Sequence, residues 1–126
     1  MRHPQILVWE GDGRLAALLR PLAEDRRWVL REPRQIGAVL RLLRTAGPGV
    51  VVIKAGRDLE REMSLLERVA WRFPDTATVL VADSDLARLA GLVWDLGASY
   101  VLVPTQPRER LPEIVAGLLA GGEGVR

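Results

Sequence analysis

The sequence alternates short apolar runs with longer segments of helical periodicity along its whole length. Five runs are interpreted as strands: Gln5–Trp9, Trp28–Glu32, Gly49–Ile53, Ala77–Ala82 and Ser99–Val103. After each of them, apolar residues recur every three or four positions, as they do on one face of an amphipathic helix. This order of elements predicts an α/β domain in which a parallel sheet is covered by helices.

The polarity of the strands predicts their order in the sheet. Strands one, three, four and five are apolar on both faces, as expected of strands that lie between two layers of helices. Trp28–Glu32 is the most polar strand, which places it at an edge. Because parallel crossovers are right-handed, helices must cover both faces. The expected fold is a (βα)5 three-layer sandwich of strand order 2-1-3-4-5, with a crevice at the carboxyl ends of strands one and three.

The helices have apolar stripes and recognisable ends. Pro21 is expected to kink the first helix, Pro33 to begin the second, and Gly97 to end the fourth. Trp71 follows the stripe of the third helix, which predicts that it lines the core or a groove. The residues expected to face the core are Leu15, Leu18, Leu19, Leu22, Ile36, Val39, Leu40, Leu43, Leu59, Met63, Leu66, Ala70, Leu86, Leu89, Ala90, Val93, Leu111, Ile114, Val115, Leu118 and Leu119.

Composition excludes several classes of function. The 126 residues include no cysteine and a single histidine, His3, so a disulfide framework, a thiolate zinc site and a histidine-based triad are excluded. There is no signal-peptide pattern, and no apolar run approaches the roughly 20 residues that span a bilayer, which predicts a cytoplasmic protein. Residues 1–120 are expected to form one domain. Residues 121–126 are expected to form a flexible tail or the start of a linker.

Two segments carry a resemblance to a known family. Ile6–Glu10 at the first strand and Gly97–Val103 at the fifth, with the order and spacing of all five units, resemble a response-regulator receiver domain from about Gln5 to Leu119. The resemblance implies the flavodoxin-like, CheY-like fold. It also implies a pocket in which an aspartate that ends strand three accepts a phosphoryl group. There, carboxylates hold Mg²⁺, and a hydroxyl and a lysine bind the phosphoryl oxygens.

This sequence departs from that pocket at most of the matching positions. The acidic pair after strand one falls on Glu10 and Gly11, so one acid is lost. The phosphoacceptor position falls on Lys54, the hydroxyl position on Ala82 and the lysine position on Pro104. An ammonium group cannot form an acyl phosphate, and it repels Mg²⁺. The resemblance therefore implies a pseudo-receiver that is not phosphorylated, is not an enzyme and uses no cofactor.

Lys54, the only lysine, ends the third strand, at the edge of the sheet where ligands bind. We hypothesise that it takes the place of Mg²⁺ in the crevice and pairs with Glu10, Asp12 or Asp83. The open alternative is that its stem covers apolar surface while the ammonium reaches water. Glu10 and Asp12 are also the weak remaining candidates for a metal. Asp58, four residues past the strand, is interpreted as a helix cap rather than a displaced phosphoacceptor.

The fourth helix carries apolar residues beyond its inward stripe. Leu92 falls outside that stripe and Trp94 at its edge, which favours a binding surface, and Tyr100 joins it if its side chain faces that side. The resemblance implies a homodimer or protein-partner surface on helix four, strand five and helix five. Packing of Trp94 against a neighbouring helix is the open alternative. The predicted function is a regulatory interaction module of bacterial signal transduction, free-standing or joined to an effector domain.

Two other functions stay open at this point. A flavodoxin-type ligand domain needs a hydroxyl-rich phosphate loop after strand one, whereas Gly11–Arg14 is short and acidic. Nucleic-acid binding would use the first half of the chain, since residues 1–50 carry nine arginines and five acids. The arginines concerned are Arg31, Arg34, Arg41 and Arg44. No aromatic residues alternate with them in a binding motif, which favours ordinary solvated helix faces.

Overall fold

The computed structural model describes residues 4–47, 49–82, 90–103 and 106–121. In this part of the chain, five strands form one parallel sheet of order β2-β1-β3-β4-β5, which confirms the predicted architecture. The strands are β1 (Gln5–Trp9), β2 (Val29–Arg31), β3 (Gly49–Ala55), β4 (Ala77–Ala82) and β5 (Tyr100–Leu102). Lys54 therefore lies within β3, one residue before its end.

The helices cover both faces of the sheet. They are α1 (Arg14–Arg26), α2 (Ile36–Ala46), α3 (Leu59–Arg72), α4 (Ala90–Asp95) and α5 (Leu111–Gly121), with a 3₁₀ turn at Arg108–Arg110 before α5. None of the described helices is long and apolar enough to cross a membrane.

The core consists of two clusters, one on each face of the sheet. Val50 and Val52 of β3 pack in the cluster that contains residues of α1 and α5. Val51 and Ile53 pack in the cluster that contains residues of α2, α3 and α4. Successive side chains of a strand point to opposite faces, so one apolar strand supplies both clusters. The predicted core residues that are buried in the described helices are Leu15, Leu19, Val39, Leu43, Leu66, Val93, Leu111, Ile114 and Val115.

Pro21 lies inside α1, whereas Pro33 precedes α2. The second helix does not begin at Pro33, and that prediction was wrong. Gln35 is still extended, and its carbonyl accepts the first helical bonds from the backbone N–H groups of Ala38 and Val39. Residues 33–35 thus connect β2 to α2 without joining the helix. The first helix does contain Pro21 and continues past it to Arg26.

Trp71 is not a core residue, so that alternative of the prediction was wrong, although Trp71 does line a shallow surface groove with Glu67, Arg68 and Arg72. It is 85% exposed, whereas Leu65, Leu66 and Val69 are buried on the inner side of α3. Successive residues of a helix are about 100° apart, so Trp71 lies about 200° around from Val69 and faces away from the sheet. Leu86 and Leu89 of the fourth helix lie outside the described residues.

Candidate functional site: a charged cleft at the ends of β1 and β3

The cleft lies where β1 and β3 end side by side. Trp9 pairs with Ile53 in the sheet, so Glu10 and Lys54 come next to each other at its carboxyl edge. The cleft has a volume of about 570 Å³, which is within the usual range for small-molecule sites. It is lined by Trp9, Glu10, Gly11, Asp12, Pro33, Arg34, Lys54, Ala55, Arg57, Asp58, Arg61 and Glu62.

Lys54 and Asp12 form an ion pair in this cleft. Lys54 Nζ donates to Asp12 Oδ2 at 2.9 Å, and the backbone N–H of Arg14 donates to Asp12 Oδ1 at 3.1 Å. Asp12 is thus one of the three partners that the sequence left open for Lys54. The Lys54 side chain is 16% exposed and that of Asp12 39%. The Lys54 ammonium, and after it the Arg14 amide, hold the pKa of the Asp12 carboxyl well below its usual range.

Glu10 has a different role from the one expected of it. Its two carboxylate oxygens accept hydrogen bonds from the backbone N–H groups of Leu15 at 2.9 Å and Ala16 at 2.8 Å. These are two of the first N–H groups of α1, which have no partner inside the helix. A carboxylate at this position also interacts favourably with the helix dipole. Glu10 therefore holds the start of α1 in place, and the structure shows no ion pair between it and Lys54.

Glu62 is a site residue that sequence reasoning missed. It is 4% exposed although it is charged. Its Oε1 accepts from the backbone N–H of Gly56 at 2.9 Å and its Oε2 from that of Asp58 at 3.1 Å. Asp58 accepts in turn from the backbone N–H of Arg61, so it is the helix cap that was predicted. An acid four residues after a capping Asp was a usable signal, because it resembles a capping box.

Two arginines occupy the mouth of the cleft. A Cβ atom added at Gly11 would collide with the Arg57 guanidinium, so Arg57 lies over the position at which the acidic pair has lost a member. The Arg61 guanidinium lies 5.4 Å from the centre of the Trp9 ring, within range of a cation–π contact. Lys54 and Arg57 thus bring positive charge to the end of the cleft that the resemblance assigned to carboxylates, beside Glu10 and Asp12.

The remaining predicted positions of the pocket are apolar or lie outside the described residues. Ala82 is 2% exposed and pairs with Ala55 at the ends of β4 and β3. Its methyl side chain supplies no hydrogen-bond donor to the pocket. Asp83, the third expected partner of Lys54, and Pro104 are outside the described part of the chain.

The carboxylates of the cleft do not fit a Mg²⁺ site of the receiver kind. Mg²⁺ requires oxygen ligands at about 2.1 Å in octahedral geometry. Both oxygens of Glu10 already accept from helix amides, and Asp12 Oδ2 bonds the Lys54 ammonium at 2.9 Å. In the ranges that the structure describes, no group of three or more histidine, cysteine, aspartate or glutamate side chains could hold a metal ion.

The residues predicted for an interface lie on different sides of the sheet. Leu92 is 51% and Trp94 48% exposed on α4, whose Val93 packs in the cluster shared with α2 and α3. Tyr100 is half-buried and packs against the opposite cluster, and its hydroxyl accepts from Gln106 Nε2 at 3.4 Å. Leu92 and Trp94 are thus the exposed apolar residues of the predicted interface. Tyr100 packs on the other side of the edge strand β5.

Comparison with known proteins identifies the fold. No protein-family model and no curated protein matches this sequence. The signal receiver domain of an HD domain-containing protein from Pseudomonas fluorescens Pf-5 superposes with a TM-score of 0.76 at 21% identity, over 98% of this chain and 100% of that chain. A CheY-like receiver domain protein from Methanospirillum hungatei JF-1 gives 0.78 at 14% identity, over 96% and 97%.

A third similar structure belongs to a longer chain. NtrX from Brucella abortus superposes with a TM-score of 0.76 at 16% identity, over 96% of this chain and 27% of that one. Together these likenesses show that the protein has the CheY-like fold predicted from its sequence.

Proposed function

We propose that this protein is a receiver-like module of bacterial signal transduction that works by binding a protein partner and is not phosphorylated. The observation that carries the proposal is the ion pair between Lys54 Nζ and Asp12 Oδ2 at 2.9 Å. It stands at the end of β3, the position at which the receiver resemblance expects a phosphoacceptor aspartate. An ammonium group has no carboxylate oxygen with which to form an acyl phosphate.

The electrostatics of the cleft support the same conclusion. A Mg²⁺ ion at the receiver position would stand close to the Lys54 ammonium and the Arg57 guanidinium. Repulsion between two unit charges about 4 Å apart is roughly 4 kcal/mol at an effective dielectric constant of about 20, and the second charge of Mg²⁺ doubles it. In the proposed role, Lys54 replaces the metal and keeps the loop after β1 in one arrangement. The protein is accordingly proposed to be a binding module and not an enzyme.

The surface of α4 is the proposed contact for the partner. Leu92 and Trp94 are large apolar side chains that are about half exposed, and they flank the buried Val93 on either side of α4. Trp is also one of the residues that most often carries binding energy at interfaces. The proposed partner is a second copy of the chain or another cytoplasmic signalling protein. The similarity to about a quarter of NtrX supports a place in a longer protein with an effector domain.

Sedimentation equilibrium over a range of concentrations tests the interaction. We expect a reversible dimer that Leu92→Ala and Trp94→Ala each weaken by roughly tenfold or more, as is typical of a hot-spot side chain. Trp71→Ala is the matched control, because Trp71 is more exposed than either and lies on α3. A wild-type protein that is monomeric at all concentrations would contradict the homodimer. Equal weakening by the control would contradict the assignment to α4.

A further inference from the structure

The acids and the bases of the cleft differ in their contacts. Each of the four carboxylates that line it already bonds a group of the protein. Glu10 and Glu62 each accept from two backbone N–H groups, Asp58 accepts from one, and Asp12 bonds Lys54 and an amide. The lining holds four acids and four bases, so its formal charges balance, but the carboxylate oxygens are already engaged within the protein.

Among the described residues, the arginines of the cleft have no carboxylate partner. Arg34 and Arg57 line it, are exposed, and form no ion pair with any acid among the residues described in the structure. Arg61 is held with its guanidinium near the ring of Trp9. The three arginines come from different segments: Arg34 precedes α2, Arg57 follows β3, and Arg61 lies in the first turn of α3. They converge on one concave space at the carboxyl edge of the sheet.

We propose that this cleft binds a phosphorylated small molecule. A guanidinium group matches a phosphate in a bidentate way, and pairs of this kind are the strong hydrogen bonds of proteins. A single carboxylate could satisfy only one of the arginines. A phosphate or diphosphate carries more charge and more acceptor oxygens, so it can bond Arg57, Arg34 and Arg61 together. The cavity of about 570 Å³ leaves room for the rest of an organic ligand, with Trp9 and Pro33 as its apolar walls.

Binding of such a ligand would regulate this protein without phosphorylating it. By bridging the segments before α2 and after β3, it would order the loop at Gly56–Asp58, which is exposed. This inference goes beyond the proposed function and does not depend on the α4 surface. Covalent phosphorylation is also not involved, because the phosphate stays on the ligand and only ionic hydrogen bonds form.

Titration of the isotope-labelled protein with inorganic pyrophosphate, followed by amide NMR, tests the proposal. We expect saturable shifts at Arg34, Gly56, Arg57 and Arg61. Arg57→Gln and Arg34→Gln should each weaken binding by roughly tenfold, as expected for loss of one charge-assisted hydrogen-bonded pair. Arg41→Gln is the matched control, because Arg41 is an exposed arginine of α2 that does not line the cleft.

A second titration, with citrate at the same ionic strength, separates phosphate from carboxylate recognition. Weaker binding of citrate than of pyrophosphate would support the assignment. Citrate binding as tight as pyrophosphate binding would overturn it. The proposal is also overturned if millimolar pyrophosphate gives no saturable shifts at the cleft, or if the control variant weakens binding as much as Arg57→Gln does.

Discussion

The two ends of β3 have opposite characters. At its amino end, Gly49 packs so closely against Gln5 of β1 that an added Cβ would collide with the Gln5 carbonyl. Gln5 is itself buried, and its side-chain amide donates to the carbonyls of Leu42 and Gly47 at 3.1 and 2.6 Å. At the carboxyl end, Lys54 reaches a cleft that is open to solvent and lined by charges.

This difference shows which part of the strand determines the fold and which part carries function. Close packing at the Gly49 end fixes how β1 and β3 align, and any side chain there is excluded by its neighbours. Charged residues at the Lys54 end line a cleft that is open to solvent, so we expect their exchange to disturb that alignment less. In open α/β sheets the carboxyl ends of the strands are where ligands bind. Substitutions at each end measure how independent the two ends are.

The largest effect is expected at the tight end. Gly49→Ala should lower the free energy of unfolding by about 3 kcal/mol, because overpacking forces the two strands apart. Urea denaturation followed by circular dichroism measures this. Gly37→Ala is the control: Gly37 lies inside α2, and an added Cβ would meet no described atom within 4 Å. Because Gly37 is only the second residue of α2, that variant should gain at most about 0.5 kcal/mol from better helix propensity. Similar stabilities of the two variants would contradict the account of the tight end.

A smaller effect is expected from the buried carboxylate next to the cleft. Glu62→Ala should cost about 1–2 kcal/mol, because the backbone N–H groups of Gly56 and Asp58 lose their acceptor. Glu62→Gln, which keeps one acceptor oxygen, should fall between it and the wild type. The control is Glu67→Ala on the exposed side of the same helix, with a change within about 0.5 kcal/mol. If Glu62→Ala were as mild as the control, Glu62 would not hold the loop after β3.

The smallest effect is expected from the ion pair itself. A double-mutant cycle of Lys54→Met and Asp12→Asn should give a coupling of about 0.5–1 kcal/mol, because Asp12 is partly exposed and solvent screens the pair. The pKa of Asp12 is lowered in the folded protein, so this stabilisation is fully present above the usual carboxyl pKa, begins to decline below it and is lost as the pH falls through the lowered pKa. Urea denaturation of the four proteins at about pH 7 and about pH 3 measures both values. A coupling that stayed constant between these pH values would rule out Asp12 as the partner.

Much of the fold could be predicted from the sequence, because it depends on local patterns. Apolar runs and helical stripes define the strand order, and Asp58 and Gly97 occupy the cap and the left-handed turn expected of them. The apolar stripe of α3 was predicted to continue as far as Trp71. In the structure Val69 faces the sheet and Trp71 is exposed.

The cleft could be predicted only in part, because its contacts depend on distances between elements. The sequence located Lys54 and offered three acids as its partners, and the choice of Asp12 depends on how the loop after β1 folds. Glu10 bonds backbone amides, and no pattern of charges along the chain distinguishes it from an acid that binds a cation, whereas the spacing of Glu62 from Asp58 was a usable signal. The convergence of Arg34, Arg57 and Arg61 arises only when three separate segments meet.

Incubation with acetyl phosphate and Mg²⁺, followed by intact-mass spectrometry, tests the central claim most directly. A receiver aspartate would acquire an acid-labile phosphoryl group under these conditions. Because Lys54, next to the last residue of β3, is paired with Asp12, we predict that the wild-type mass stays unchanged and that Mg²⁺ alone shifts no amide signals of the cleft. An acid-labile adduct that maps to Asp12 or Asp58 would contradict the claim and restore phosphorylation as the input of this protein.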